Sequence, residues 1–231
     1  MDAVIQEFKE RVAEVDEYLK LLERLEDPNV AIIDVSTRRR IQVLKHGSLK
    51  VMKATVFLLV YNLVESAIRS AFDCLYQQIA SEKRTVAHLR SELRRLWTGQ
   101  QFDKLDRNSA SLGNYRDVAH RLVDDIILQS LVVLSSDALP VSGNLDADAI
   151  RKVCRSHGVK VRTHHRAQGG QVLETVKKQR NALGHGNVSF SFCGQQYAVS
   201  DLKRIKQQSV VFVHSVLRNI KRYVEANDYA N

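Results

Sequence analysis

The sequence predicts an all-α bundle that carries one small β-hairpin just before its last helix. Three observations lead there. Apolar residues recur at spacings of three and four along most of the 231 residues, the period of helices with one buried face. Only two prolines and ten glycines occur, which argues against collagen-like, disordered and turn-dense all-β chains. One stretch, Ser189 to Ser200, instead alternates, with Phe190 and Phe192 around Cys193-Gly194 and then Tyr197 and Val199, the pattern of a short hairpin.

Val4, Ile5, Phe8, Val12, Val15, Leu19, Leu22 and Leu25 define a first amphipathic helix, which Asp27-Pro28 stops. After a short apolar patch (Val30 to Val35) and Arg38-Arg39-Arg40, a helical pattern runs to about Ile79. Gly47-Ser48 marks a break in it, with Ser48 as an N-cap. From Leu49 to Ile79 the pattern is apolar nearly all round, which marks a central helix packed on several sides. Residues 84–97 read as a shorter basic helix. Asn114 caps another that runs through Val118, Leu122, Ile126 and Leu131. Leu139 to Asn144 is loop chemistry, and Leu145 to Arg155 is helical and closed by Gly158. Val159 to Gly170 is polar, basic and histidine-rich, as expected of a mobile loop. Gln171 to Leu183 forms a helix ended by Gly184 and Gly186, and Ser200 caps the last helix, with Leu202, Ile205, Phe212, Leu217, Ile220 and Val224 on its apolar face. Residues 1–47 read as a helix and connector packed on the bundle of residues 48–231, together one compact domain.

Lysine and arginine number 35 against 26 aspartates and glutamates, a formal charge of +9 that suits a polyanionic partner. Three cysteines, Cys74, Cys154 and Cys193, make no CxxC pair and no disulfide framework, the usage of a reducing cytoplasm. The acidic, amphipathic N-terminus does not read as a signal peptide. The longest apolar run, Ala54 to Val64, falls well short of the roughly 20 residues that a membrane span needs, so no membrane association is expected. Cys154-x-x-His157 is half of a zinc pattern with no second half, so no metal or other cofactor is expected. Phosphate-binding glycine loops, HExxH and nucleophile elbows are absent from the sequence.

The segment with the most chemistry is Lys177-Lys178-Gln179-Arg180-Asn181-Ala182-Leu183-Gly184-His185-Gly186. A guanidinium neutralises phosphate with a forked donor set, and an imidazole moves protons near neutral pH, the two tasks of RNA cleavage. Five residues of helix turn Arg180 and His185 about 140° apart. The glycines on both sides of His185 let the chain leave the helix there, so the imidazole can swing back, and a symmetric dimer can also bring two such segments together. Equally, the two residues are ordinary cations at a helix C-terminus, where the macrodipole favours them.

Arg180-Asn181-Ala182-Leu183-Gly184-His185 resembles the R-x4-6-H motif of the HEPN superfamily, including the asparagine that often follows the arginine. Leu59-Val60-Tyr61-Asn62-Leu63-Val64-Glu65-Ser66 resembles the central helix of the MAE-type branch of HEPN nucleases. Ser142-Gly143-Asn144-Leu145-Asp146, and Gly184-His185-Gly186 through Ser189-Phe190, resemble further elements of that branch. The likeness runs from about residue 50 to the C-terminus, with Gly184 where the family often has alanine. It implies a HEPN-like bundle and a homodimer whose two motifs line one cleft. It also implies a metal-independent endoribonuclease acting as a toxin or phage-defence effector, with an antitoxin or defence-system partner protein. By the motif, Arg180 and His185 take the catalytic positions and Asn181 a supporting one. The rival readings are a non-catalytic RNA- or nucleotide-binding module and a protein-interaction subunit of a defence complex.

Tyr61, Asn62, Glu65 and Arg69 are polar positions in the most apolar helix, and Asn62, Glu65 and Arg69 share a face at spacings of three and four. Glu65 can orient His185 or hold Arg180, with Asn62 and Tyr61 in support, or it can be one half of an ordinary surface pair. Lys177 and Lys178, and Arg162 and Arg166 in the histidine-rich stretch, are the candidate RNA contacts. Arg90, Arg94 and Arg95, and Lys203, Arg204 and Lys206, form two further basic clusters.

Overall fold

The computed structural model describes residues 1–39, 46–105, 110–139 and 143–231. The expected helical stretch after Arg39 therefore lies outside the described residues as far as residue 45, as do Pro140, Val141 and Ser142 of the loop before Asn144.

Eight α-helices make up the described fold: α1 (Asp2–Glu26), α2 (His46–Ser81), α3 (Ser91–Asp103), α4 (Leu112–Ile127), α5 (Ala147–Ser156), α6 (Val172–Gly184), α7 (Phe190–Gly194) and α8 (Val199–Glu225). The 36 residues of α2 form the axis, with α1, α6, α7 and α8 packed around it. Its Val56, Phe57, Val60, Leu63, Val64, Ile68, Phe72, Leu75 and Ile79 are all buried. By length and composition alone α2 could cross a membrane. Here neighbouring helices cover much of its apolar surface, which accounts for a helix apolar on nearly every side, although Val51 is 41% exposed. The amphipathic α1 buries Phe8, Val15, Leu19 and Leu22 in the same core. Lys206 of α8, only 6% exposed, pairs with Asp16 of α1 at 2.5 Å.

Several local expectations are corrected by packing. No β-hairpin forms over residues 189–200; among the described residues extended pairing is confined to isolated bridges such as Thr85–Leu131 and Leu89–Ala230. The segment expected to be a hairpin is the short helix α7, capped by Ser189, whose Oγ accepts the Phe192 N–H at 3.2 Å. Its buried positions are Cys193 and Gly194, whereas Phe192 is 54% exposed, so the alternating aromatics do not form the inward face of a strand. Gly47 and Ser48 are helical residues of α2, which is described from His46, so Ser48 is not its N-cap; the run before them lies outside the described residues. Residues 84–97 divide into a 3₁₀ turn, Val86–His88, and α3. The N-cap of α4 is Ser111, with Asn114 answering from the third helical position: Ser111 Oγ accepts the Asn114 N–H, and Asn114 Oδ1 accepts the Ser111 N–H at 2.7 Å. Leu131 lies beyond that helix, in a bridge. Ser200 lies inside α8, which starts at the N-cap Ala198, whose N–H donates to Asp201. The histidine-rich stretch is docked rather than loose. Ala167 and Gly170 are buried, His164 N donates to Ser215 Oγ of α8, and a Cβ on Gly170 would meet the Phe212 ring at 2.6 Å.

His157, at the end of α5, is buried beside Phe72 and Tyr76. Its Nδ1 lies 2.7 Å from the Val153 carbonyl and its Nε2 2.6 Å from the Tyr76 hydroxyl. The network assigns the proton to Nδ1, which donates, while Nε2 accepts from Tyr76. Burial depresses its pKa to about 4, against the partial support of the Val153 carbonyl. A histidine held neutral in this way supports the fold fully above its unfolded pKa of ~6.5, and that support drains as pH falls towards 4. The unfolding free energy should therefore drop by about 3 kcal/mol between pH 6.5 and 4 on account of this group. A ring NMR titration in which His157 changes charge near pH 6.5 would overturn this.

Candidate functional site

Three elements meet at Arg180. The helix α6 presents Arg180 and Asn181, α2 presents Tyr61 and Glu65, and the segment Gly143–Asp146 leads into α5. Tyr61 is 1% exposed, and its hydroxyl accepts the Leu145 N–H at 3.1 Å. Burial pushes the Tyr61 phenol up, the Leu145 amide works against that rise, and the neighbouring Glu65 adds to it. The phenol is therefore a neutral, fixed platform at physiological pH. Over its ring lies the Arg180 guanidinium, 4.6 Å from the centroid, close enough for a cation–π contact.

Asn181 holds the guanidinium from the side. Its Oδ1 accepts from Arg180 Nη1 at 2.9 Å, and its Nδ2 donates to Asn144 Oδ1 at 3.2 Å. Glu65 turns to the loop and accepts the Gly143 N–H at 3.5 Å. Three residues on, Asp146 caps α5 by accepting the Ala149 N–H at 2.8 Å and pairs with Lys177. Burial works to raise the Asp146 carboxyl, but the Lys177 hydrogen bond and the Ala149 and Asp148 amides outweigh it, so it ionises below the ordinary range. Loop and helix are thereby tied at two points. Among the described residues Arg180 has no carboxylate partner within salt-bridge distance, and one donor of its fork goes to Asn181. The arrangement is a half-buried, oriented cation without a counter-ion, which suits a phosphate.

His185 is the C-cap of α6, with φ −89° and ψ 0°. Its N–H donates to the Asn181 carbonyl at 3.0 Å, so the helix runs on regularly to that point. Gly186, at φ +70°, then turns the chain away. The imidazole is exposed and makes no side-chain hydrogen bond among the described residues. Within one chain the glycines do not swing it back, and Arg180 and His185 keep their separation of about 140° around the helix.

The other expected positions scatter. Lys178 is exposed and pairs with Glu174 in its own helix. Asn62 is exposed and lines a groove with Arg11, Glu14 and Tyr18 of α1, apart from Tyr61 and Glu65. Arg162 and Arg166 border clefts along α8, and no contact joins them to Arg180. The Lys203, Arg204 and Lys206 cluster is taken up by Glu23, Asp201 and Asp16. Conversely, Asn144, the Leu145 amide and Asp146 belong to the site; their short polar run before an N-cap aspartate was the signal for them. Among the described residues no three His, Cys, Asp or Glu side chains are grouped to hold a metal ion. Cys154 is buried in the core with its thiol pushed up to about 12 by that burial, and both ring nitrogens of His157 are engaged.

A family model for the MAE-type HEPN domain matches residues 1–229. No curated protein and no solved structure matches the chain.

Proposed function

The chain belongs to the MAE-type HEPN family, and from that premise we propose that it is a metal-independent endoribonuclease. The observation that carries this reading is Arg180, fixed by Tyr61 and Asn181 and, among the described residues, lacking a counter-ion, one helical stretch from an exposed His185 whose ring makes no hydrogen bond among the same residues. In the reaction a ribose 2′-hydroxyl loses its proton and attacks the adjacent phosphorus. The bond from phosphorus to the 5′ oxygen breaks, and that oxygen takes up a proton. The products are a 2′,3′-cyclic phosphate and a 5′-hydroxyl. Arg180 stabilises the extra negative charge on the phosphoryl oxygens, His185 carries one of the two protons, and Asn181 keeps the guanidinium aimed.

The angle between Arg180 and His185 within one chain supports a homodimer, in which two α6 ends face each other across a two-fold axis and form one cleft. A toxin or phage-defence role in the cytoplasm, silenced by a partner protein, is the biological setting that fits such an activity. The same angle also favours a second reading, a module that binds RNA through Arg180 without cutting it. One experiment separates the two. Purified protein, shown by light scattering to be dimeric at micromolar concentration, is incubated with total RNA with and without EDTA. Cleavage unaffected by EDTA and leaving cyclic phosphate ends is expected. Binding without cleavage would replace the nuclease by the binding module, and a Mg²⁺ requirement would sink the mechanism.

A further inference from the structure

Besides Arg151, which Asp148 pairs, five cations from three separate stretches of the sequence converge away from Arg180. Arg90, the N-cap of α3, Arg155, in the last turn of α5, Lys160, Arg162, and Arg222, in the last turn of α8, border two adjoining clefts of about 340 and 430 Å³ that share Arg90, Gly158 and Lys160. Among the described residues two carboxylates border them, Glu92 and Asp228, and Glu92 is already engaged by Ser91 and, at 3.7 Å, by Arg90. Among the described residues Arg155, Lys160, Arg162 and Arg222 are exposed and have no carboxylate within ion-pair distance. Folding gains nothing from gathering like charges in a concave surface, whereas such a surface concentrates the field for an anion.

The local backbone gives that anion a shape. From Val159 to Arg162 burial alternates, with the valines inward and Lys160 and Arg162 outward. In an extended segment the two cations then sit about 7 Å apart on one face, on the scale of successive phosphates of an extended single strand. Asn219 Nδ2 of α8 holds this segment by the Arg162 carbonyl at 2.8 Å, and the Arg90 guanidinium donates to the Asp228 carbonyl at 3.1 Å. The cations are therefore mounted on a pinned frame. The helix α5 runs from Asp146, beside the Arg180 cluster, to Arg155 at the cleft, about 14 Å by helical rise, a few nucleotides of strand.

We propose that this cleft is a second binding site for the RNA, one that holds the phosphodiester backbone a few nucleotides from the position at Arg180. The inference rests on the RNA-cleaving reading. The test uses the full-length protein and a fluorescent 2′-O-methyl RNA 20-mer, which cannot be cut, so that binding is read apart from catalysis. In an Arg155→Gln/Lys160→Gln/Arg162→Gln variant, binding near physiological salt should weaken by about 10- to 60-fold. The slope of log affinity against log salt should become shallower by about two, as expected for three lost phosphate contacts on a single strand. A control with the same charge change elsewhere, Lys20→Gln/Lys104→Gln/Arg204→Gln, should shift affinity by less than about threefold, the order of a non-specific charge effect. Equal losses in the two variants, or no binding by the unaltered protein, would overturn the proposal. If the protein cuts total RNA and the two variants bind alike, only the cleft is refuted. If the cleft variant alone loses binding and the protein does not cut, the cleft stands and the nuclease reading falls.

Discussion

Arg180→Ala and His185→Ala are each expected to remove nearly all RNA cleavage while leaving the fold intact. Among the described residues Arg180 makes one side-chain hydrogen bond, to the neighbouring Asn181, and it lies on the Tyr61 ring, so its removal costs a cation–π contact and little packing. His185 is exposed and makes no side-chain hydrogen bond among the described residues. Melting temperatures of both variants should stay within a few degrees of the parent. Activity should fall far more, because losing a donor aimed at developing charge forfeits roughly 10²–10³ in rate and losing a positioned proton carrier roughly 10²–10⁴. Asn181→Ala should be milder, since it frees the guanidinium without removing it. The measurement is the initial rate on total RNA, with thermal melts alongside. A His185→Ala protein that cuts like the parent would refute the assigned chemistry; one that melts far lower would make the loss structural instead.

The largest stability effect should come from a residue with no side chain. A Cβ on Gly194 would stand 1.8 Å from the Lys50 carbonyl oxygen and 2.7 Å from its carbon. Both are backbone atoms inside α2 and cannot rotate aside as a side-chain tip would. Gly194→Ala must lift α7 off α2, which also loosens Tyr197, whose ring meets Phe57 at 4.8 Å and whose hydroxyl accepts from Gln179 at 3.1 Å. Overpacking usually costs 1–3 kcal/mol. With backbone opposing the methyl, about 3 kcal/mol or more is expected, a fall in Tm on the order of 10 °C for a domain of this size. Gly184→Ala is the internal control. Nothing lies within 4 Å of its Cβ and its residue is helical, so alanine there should be neutral or stabilise by up to about 1 kcal/mol. If the two variants melted alike, the close approach of α7 to α2 would be wrong.

The sequence by itself determined the helices whose apolar period lasts long enough to be read. In α1, in α2 beyond Leu49, in α6 and in α8 every turn repeats the same statement about which side is buried. It also determined that Arg180, Asn181 and His185 end one helix, because the glycines around His185 end it, and that Tyr61 and Glu65 share a helix with the chemistry to meet them. Tertiary structure decided what depends on a surface the segment does not contain. The five residues around Cys193 are too few to show a period, and they became α7 because a residue without a Cβ could rest on the Lys50 carbonyl. Whether a charge is free is likewise settled by distant partners. Lys206 and Lys203 find Asp16 and Glu23 on α1, while Arg155, Lys160 and Arg162 find none among the described residues. Asn144 reaches Asn181 across 37 positions of chain. Local periodicity encodes which face turns inward, but ion pairs, close backbone approaches and site contacts are set by residues far apart in the chain, and these meet only when the helices pack.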